Sequence, residues 1–299
     1  METGLGGRLD ATNVITPLVS VITNVSMDHE AYLGDTLEAV SSEKAGIIKQ
    51  QVPVVSAVAD DISREVVRKV CIDKSAPLYL YGEQFTTYEQ EQDRYFFQSI
   101  DGGLGVVKYV NLRCSMKGDY QKVNAALAIA VLQLLNHHDI CVGEEDIRQG
   151  LLKVHWPGRL EHIILEDQPQ ISYLLDGAHN PAGVDSLVQT LKKEYDYKNL
   201  ILVWGAMVDK DLSATLPLIA GLADRIIFTR PEGERTAEPE MFLEVINKSL
   251  LENCEVIRDV EDALKRATKL AETGDMIVIA GSLYLVGEIR KILVGELVQ

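Results

Sequence analysis

The sequence predicts an α/β fold whose second half is a doubly wound sheet. In that half, short continuous apolar runs alternate five times with helical patterns: ISYLLD with GVDSLVQTLKKEY, LILVWG with LSATLPLIAGLA, RIIFTR with PEMFLEVINKSLL, CEVIRD with VEDALKRATKLAE, and MIVIAG with SLYLVGEIRKIL. Apolar strands of that length, separated by helices with i, i+3, i+4 spacing, indicate a parallel sheet covered on both faces. Hydrophobic residues make up 46% and charged residues 25% of the 299, which is a globular balance with length for two domains.

From the N-terminus, METGLGGRLDATN sets Gly4, Gly6 and Gly7 before Arg8 and Asp10, in the manner of a loop that grips phosphate. Such a loop works between a strand and a helix, and here only Met1, Glu2 and Thr3 precede it. A strand in LVSVITNV then leads to a helix in TLEAVSSEKAGII, a strand in PVVSAVA and a helix in ISREVVRKVCIDK. Three runs of antiparallel character follow, PLYLYG, RYFFQSI and GVVKYVNLRC, and then the long helix QKVNAALAIAVLQLLNHH. That helix repeats its apolar residues at core spacing, and His137 and His138 at its end meet carbonyl groups, so no chemistry is assigned to them. His155 and His162 are likewise unassigned. In VHWPGRLE the Trp-Pro-Gly break marks a hinge, which places a first domain over 1–157 and a second over 158–299.

Charge and cysteine usage exclude several classes. With 45 acidic against 29 basic residues the net charge is −16, which opposes attraction to nucleic acid and to acidic membranes. Cys71, Cys114, Cys141 and Cys254 form no CxxC pair, so neither a zinc cluster nor a disulfide framework is indicated. No apolar run approaches the roughly 20 residues of a membrane span, and no secretory leader pattern is present, so the expected location is the cytoplasm.

In an open α/β sheet ligands bind beyond the carboxyl ends of the strands. Four places qualify: Asp28-His29 after VITNVSM, Asp176 to Pro181 after ISYLL, Met207 to Asp211 after LILVWGA, and Gly281-Ser282 after MIVIA. Each has a plain alternative. The polar residues before Pro181 suit a helix cap as well as a ligand. Lys210 suits a loop cation, Ser282 an N-cap, and Arg159 either a surface residue or a cation reaching phosphate at a domain junction.

Taken together and in order, ETGLGGRLDATN, MDHEAYLG, SEKAGIIK, YQKVNAALA, WPGRLE, DGAHNPAG and GSLYLVG resemble the folylpolyglutamate synthase and dihydrofolate synthase family of the Mur ligase superfamily. The resemblance implies the C-terminal portion of a P-loop-type ATPase domain, then a Rossmann-like, glutamate-binding Mur ligase domain. It implies ATP-dependent joining of L-glutamate to a folate or dihydropteroate carboxylate through an acyl phosphate, with Mg²⁺ required and a monomer expected. Glu2 and His29 match the family's magnesium ligands, and Lys44 matches the lysine that becomes a carbamate. Asn124, Arg159 and Asp176 match nucleotide-binding positions. His179 and Ser282 match residues of the interdomain cleft where glutamate and acyl phosphate meet. Leu9, Asp10 and Ala11 match a segment that contacts the pterin-bearing substrate, so the glycines of GLGGR shape a substrate loop.

The family carries a P-loop of the GxxGKGS kind upstream of ETGLGG, and no Gly-Lys dipeptide occurs in these 299 residues. The expectation is therefore a piece of a longer ligase, inactive by itself because the triphosphate site lacks its backbone nest. Two other readings stand beside it: a non-catalytic binding remnant for nucleotide or folate, and a peptidoglycan-type Mur ligase.

Overall fold

The computed structural model describes residues 1–90, 94–100, 103–166, 168 and 170–295. The chain divides into two compact units, Met1–Ser115 with Asp119–Val154, and Met116–Gly118 with His155–Gln299.

In the first unit a short 3-10 helix over Ala11–Val14 precedes β1 (Ser20–Ile22), α1 (Glu30–Leu33), α2 (Leu37–Ala45), β2 (Val54–Ser56), α3 (Asp61–Asp73) and β3 (Leu78–Leu80). These three strands form one parallel sheet in the order β1-β2-β3. Next come β4 (Phe85–Gln90), β5 (Arg94–Ser99) and β6 (Lys108–Leu112), which form an antiparallel sheet, and then α4 (Asp119–Leu135) and α5 (Glu144–Lys153). Helix α4 buries Ala126, Leu127, Ile129, Ala130 and Leu134 in a core shared with Phe85, Tyr95 and Phe97.

Two expectations are corrected here. PLYLYG pairs parallel with β2, not antiparallel, because α3 lies between them and a strand-helix-strand crossover returns the chain in the same direction. The third antiparallel strand is FTTYEQ, whose outer half is polar and exposed and so lacked an apolar signature. His137 and His138 fall in a 3-10 turn after α4, with His137 Nε2 at 3.1 Å from the Gly103 carbonyl.

The second unit contains β7 (Glu161–Ile164), β8 (Ser172–Leu175), α6 (Pro181–Glu194), β9 (Leu200–Trp204), α7 (Leu212–Ala220), β10 (Arg225–Phe228), α8 (Glu240–Val245), β11 (Cys254–Val256), α9 (Val260–Leu270), β12 (Met276–Ala280) and α10 (Leu283–Val294). Its sheet runs β11-β10-β9-β12-β8-β7. All neighbours are parallel except β7, which pairs antiparallel with β8, so the wholly parallel sheet expected from sequence gains one antiparallel edge.

Strand alternation assigns the two faces. Tyr173, Leu175, Ile201, Val203, Ile277 and Ile279 join a core with α9 and α10. The opposite face carries Phe228 against Phe242 of α8, at 5.4 Å between ring centroids, and α8 packs on α7, which packs on α6. Helix α9 shows the local logic. Val260, Ala263, Leu264 and Ala267 recur at one-face spacing, and Asp259 caps it by accepting from Asp262 N at 2.9 Å. The chain steps outward from β8 to β11 and returns through α9 to place β12 between β9 and β8. That reversal brings together the carboxyl ends of β8, β12 and β9, the region where open α/β sheets bind ligands.

Candidate functional site

In the first unit the glycine-rich loop is clamped onto the end of α2. Asp10 organises it: Oδ2 accepts from Gly4 N and Leu5 N at 3.0 and 3.1 Å, and Oδ1 accepts from Thr12 N at 2.9 Å and Thr12 Oγ1 at 2.5 Å. Those donors, Thr12 first, hold its carboxyl down at about 2. Gly7 passes so close to α2 that a Cβ would sit 2.8 Å from the Glu43 carbonyl. Arg8 N donates to that carbonyl, and the Arg8 guanidinium pairs with the Glu43 carboxylate at 2.7 Å. Lys49 Nζ donates to Asn13 O at 2.6 Å. The carboxylate of Asp10 thus serves the loop's own backbone, while Leu9 is 82% exposed and available to a ligand.

Because Asp10 is depressed in the folded chain, it stabilises the loop above its unfolded value of 3.8, and that contribution is lost as pH falls through about 2. Amide protection, measured against the intrinsic exchange rate at each pH, is expected to fall at Gly4 and Leu5 across that acid range, and in Asp10→Asn to be low at neutral pH. Protection unchanged in Asp10→Asn would show the loop to be held by other contacts.

A cavity of about 580 Å³ opens beside this loop along the length of β1, and Glu2, Thr3, Gly6, Asn24 and Lys44 are among the residues that line it. The structure therefore brings Glu2 and Lys44 to one space. His29 lies beyond β1, outside that lining, with φ +54°; its N–H donates to Asp28 Oδ1 at 2.8 Å. Among the described residues no three His, Cys, Asp or Glu side chains stand close enough to hold a metal. The set implied by sequence has only two such groups, Glu2 and His29, and Lys44 joins as an anion only once carbamylated. No ion pair among the described residues engages Lys44, so its amine is not committed to a carboxylate. An oxygen-rich set of this kind suits a hard divalent cation. Asn124 sits on α4, its Nδ2 donating to Gln121 Oε1 at 3.1 Å.

In the second unit the carboxyl end of the sheet gathers Asp176, His179 and Ser282. Asp176 is 5% exposed and follows β8 directly; its Oδ2 accepts from Leu160 N at 2.9 Å and its Oδ1 from Ala178 N at 2.8 Å. Burial pushes its carboxyl up, opposed by those two amides and by Arg159 and His179. His179 Nδ1 lies 2.8 Å from the Gly177 carbonyl, so Nδ1 carries a proton and donates it there. The cap of α6 is Asn180, whose Oδ1 accepts from Gly183 N, so the capping role in this motif falls to Asn180. Ser282 caps α10, accepting from Tyr284 N at 3.0 Å. Asp211 likewise caps α7, accepting from Ala214 N at 2.9 Å.

Glycine at position 281 lets the chain pack closely at this end of the sheet. Gly281, at φ +104°, would place a Cβ 2.8 Å from the Gly205 carbonyl and 2.9 Å from the Trp204 ring, and its N–H donates to Ala178 O. Sequence reasoning passed over the groups that fix the Trp156–Glu161 segment. Glu161 Oε2 accepts from Gly158 N at 2.9 Å, and Arg290 Nε lies 3.0 Å from both Glu161 oxygens. Arg290 is 129 positions away in the chain, and no local pattern joins the two.

The doubly wound second unit, with a buried aspartate and a histidine at its sheet reversal, is a Mur ligase domain. The Mur ligase middle domain model matches residues 1–132 and the model of the Mur ligase, glutamate ligase domain matches 158–283. The dihydrofolate synthase/folylpolyglutamate synthase of Bacillus subtilis is 33% identical over 295 residues, covering 97% of this chain and 66% of the relative. The dihydrofolate synthetase of Saccharomyces cerevisiae is 30% identical over 308 residues, covering 98% and 70%. Among solved structures, Escherichia coli FolC in complex with ADP superimposes with TM-score 0.84 at 28% identity, over 97% of this chain and 65% of that one. The chain belongs to the folylpolyglutamate synthase/dihydrofolate synthase family. It spans about two thirds of the length of these curated relatives. No helix among the described residues is long and apolar enough to cross a membrane.

Proposed function

We propose that this chain carries the greater part of an ATP-dependent ligase that joins L-glutamate to the carboxylate of a folate or dihydropteroate. The observation that carries the reading is the set of Asp176, His179 and Ser282 at the reversal of the second sheet, in a chain whose relatives include a folylpolyglutamate synthase from Lacticaseibacillus casei and a FolC solved with ADP and DHPP.

The first unit supplies Glu2, His29 and carbamylated Lys44 as holders of Mg²⁺, Asn124 toward the nucleotide, and the Leu9-Asp10-Ala11 segment toward the pterin-bearing substrate. A solved relative complexed with AMPPNP and Mn ion supports a divalent-metal nucleotide site. When bound, the metal neutralises charge on the transferring phosphoryl group. The second unit supplies Arg159 and Asp176 to the nucleotide, and His179 and Ser282 to glutamate and the acyl phosphate.

In the reaction the folate carboxylate oxygen bonds to the γ-phosphorus as the bond to the β-phosphate oxygen breaks and ADP leaves. The glutamate amine then attacks the acyl carbon, inorganic phosphate leaves, and the amine loses a proton. His179, oriented through Nδ1 by the Gly177 carbonyl, is the group assigned to receive that proton. Turnover further requires a phosphate-loop element of the Gly-Lys type, which these 299 residues do not contain. The location that suits this chemistry is the cytoplasm and the expected state a monomer.

The test supplies the enzyme that carries this chain with labelled glutamate, ATP and Mg²⁺, and offers tetrahydrofolate, dihydropteroate and a muropeptide separately. Glutamate addition to either pteridine supports the reading. Addition to the muropeptide alone, or nucleotide binding without any product, overturns it.

A further inference from the structure

We propose that Glu161 and Arg290 form a clasp that positions Arg159, and with it the nucleotide phosphates; the proposal rests on the role given to Arg159 above. Glu161 opens β7 opposite Leu175, the last residue of β8. Its carboxylate is 6% exposed and the Arg290 side chain 14%. Buried ion pairs are weak evidence for stability, because apolar replacements of similar volume serve a fold as well. This one does something an apolar pair could not: Glu161 Oε2 accepts the backbone N–H of Gly158 at 2.9 Å.

The neighbouring contacts show what is being held. Gly158 O accepts from Gly177 N at 2.9 Å, and Leu160 N donates to Asp176 Oδ2 at 2.9 Å. The residues on either side of Arg159 are therefore tied to the sheet. Both have positive φ, +72° at Gly158 and +48° at Leu160, a conformation that non-glycine residues adopt only when their surroundings enforce it. Arg159 itself is exposed, and its direction is set by this backbone. Arg290 fixes the Glu161 carboxylate, Glu161 fixes Gly158, and the arginine that follows is presented at the carboxyl end of β8. Glu161 and Arg290 are positioning residues; neither is placed against substrate.

The experiment uses the enzyme that carries this chain, in variants Arg290→Met, Arg290→Lys, Glu161→Gln and Glu161→Asp, each alone and combined with Arg159→Ala. The readouts are the dissociation constant for ADP, KM for ATP and for glutamate, and amide exchange at Gly158 and Leu160. Arg290→Met and Glu161→Gln are expected to weaken ADP and raise KM for ATP roughly tenfold, as for loss of a charge-assisted contact, with KM for glutamate nearly unchanged. Exchange at both amides accelerates, and Arg290→Lys recovers part of the affinity. Glu161→Asp keeps the charge pair but draws the carboxylate back from Gly158, so it tests the clasp should the other variants fail to fold.

In the Arg159→Ala background the same changes should add nothing further to the loss of ADP affinity. Full additivity, or faster exchange with unaltered ADP binding, overturns the proposal. Should Arg159→Ala alone leave ADP binding intact, the nucleotide role of Arg159 has failed, and the proposal with it. The exchange data would then still report whether the clasp holds the backbone.

Discussion

Replacing Asp176 by alanine is expected to lower kcat/KM on the order of 10²-fold, the scale on which a displacement of about 1 Å in a catalytic constellation acts. The change strands two amides, Leu160 N and Ala178 N, which the carboxylate now accepts at 2.9 and 2.8 Å. One of these carries the chain past Arg159 and the other leads into His179. A buried donor left without a partner costs about 1–3 kcal/mol, partly offset here because the substitution also removes a buried carboxyl group. A net destabilisation of about 1–3 kcal/mol follows, readable by denaturant titration.

That destabilisation carries a pH signature. Burial raises the Asp176 pKa above its unfolded value of 3.8, so the folded chain holds this proton more tightly than the unfolded chain. The contribution of Asp176 to stability is full below the unfolded value and is lost as pH rises through the folded pKa. The stability gap between the wild type and Asp176→Ala should therefore be widest below the unfolded value of 3.8 and narrow as pH rises through the folded pKa. A gap that widens instead would mean that the two amides outweigh burial and depress the carboxyl.

Gly281→Ala is expected to destabilise the second unit by about 2–5 kcal/mol, summing backbone strain with overpacking. At φ +104° a side-chain carbon is strained whatever the space, and here it also meets the Gly205 carbonyl at 2.8 Å and the Trp204 ring at 2.9 Å. Trp204 is fully buried in the central strand β9 and cannot swing aside. Any relief must come from moving Gly281 and with it Ser282, so activity should fall even at temperatures where the variant stays folded. Thermal unfolding indistinguishable from wild type would show that this end of the sheet yields more readily than its geometry indicates.

The legible and illegible parts of this chain differ for physical reasons. The strands ISYLL, LILVW and MIVIA were readable because both their faces are largely buried, and a doubly covered strand is a near-continuous apolar run. FTTYEQ and the edge strand EHII were not, since one face or one end of each is in solvent and the apolar signal thins out. PLYLYG was recognised as a strand, but its direction is set by the crossover through α3 and not by its own residues.

The site divides in the same way. Asp176, His179 and Ser282 lie just past apolar strands, and a rule about sheet ends finds them. Glu161 and Arg290 meet only in the folded chain. Asp10, expected to contact substrate, proves to have its carboxylate occupied by four hydrogen bonds within its own loop, a role that its spacing from Gly4, Leu5 and Thr12 permits but does not announce. Glu2 and Lys44 are 42 positions apart and share a cavity only because the loop folds back over the end of α2.

The central claim is that the enzyme carrying this chain activates a folate carboxylate as an acyl phosphate before glutamate attacks. The most direct measurement supplies the pteridine substrate with ¹⁸O in its carboxylate and follows that isotope through turnover with ATP and glutamate. One labelled oxygen per turnover should appear in inorganic phosphate. Phosphate free of ¹⁸O, or label appearing in AMP, would contradict the account.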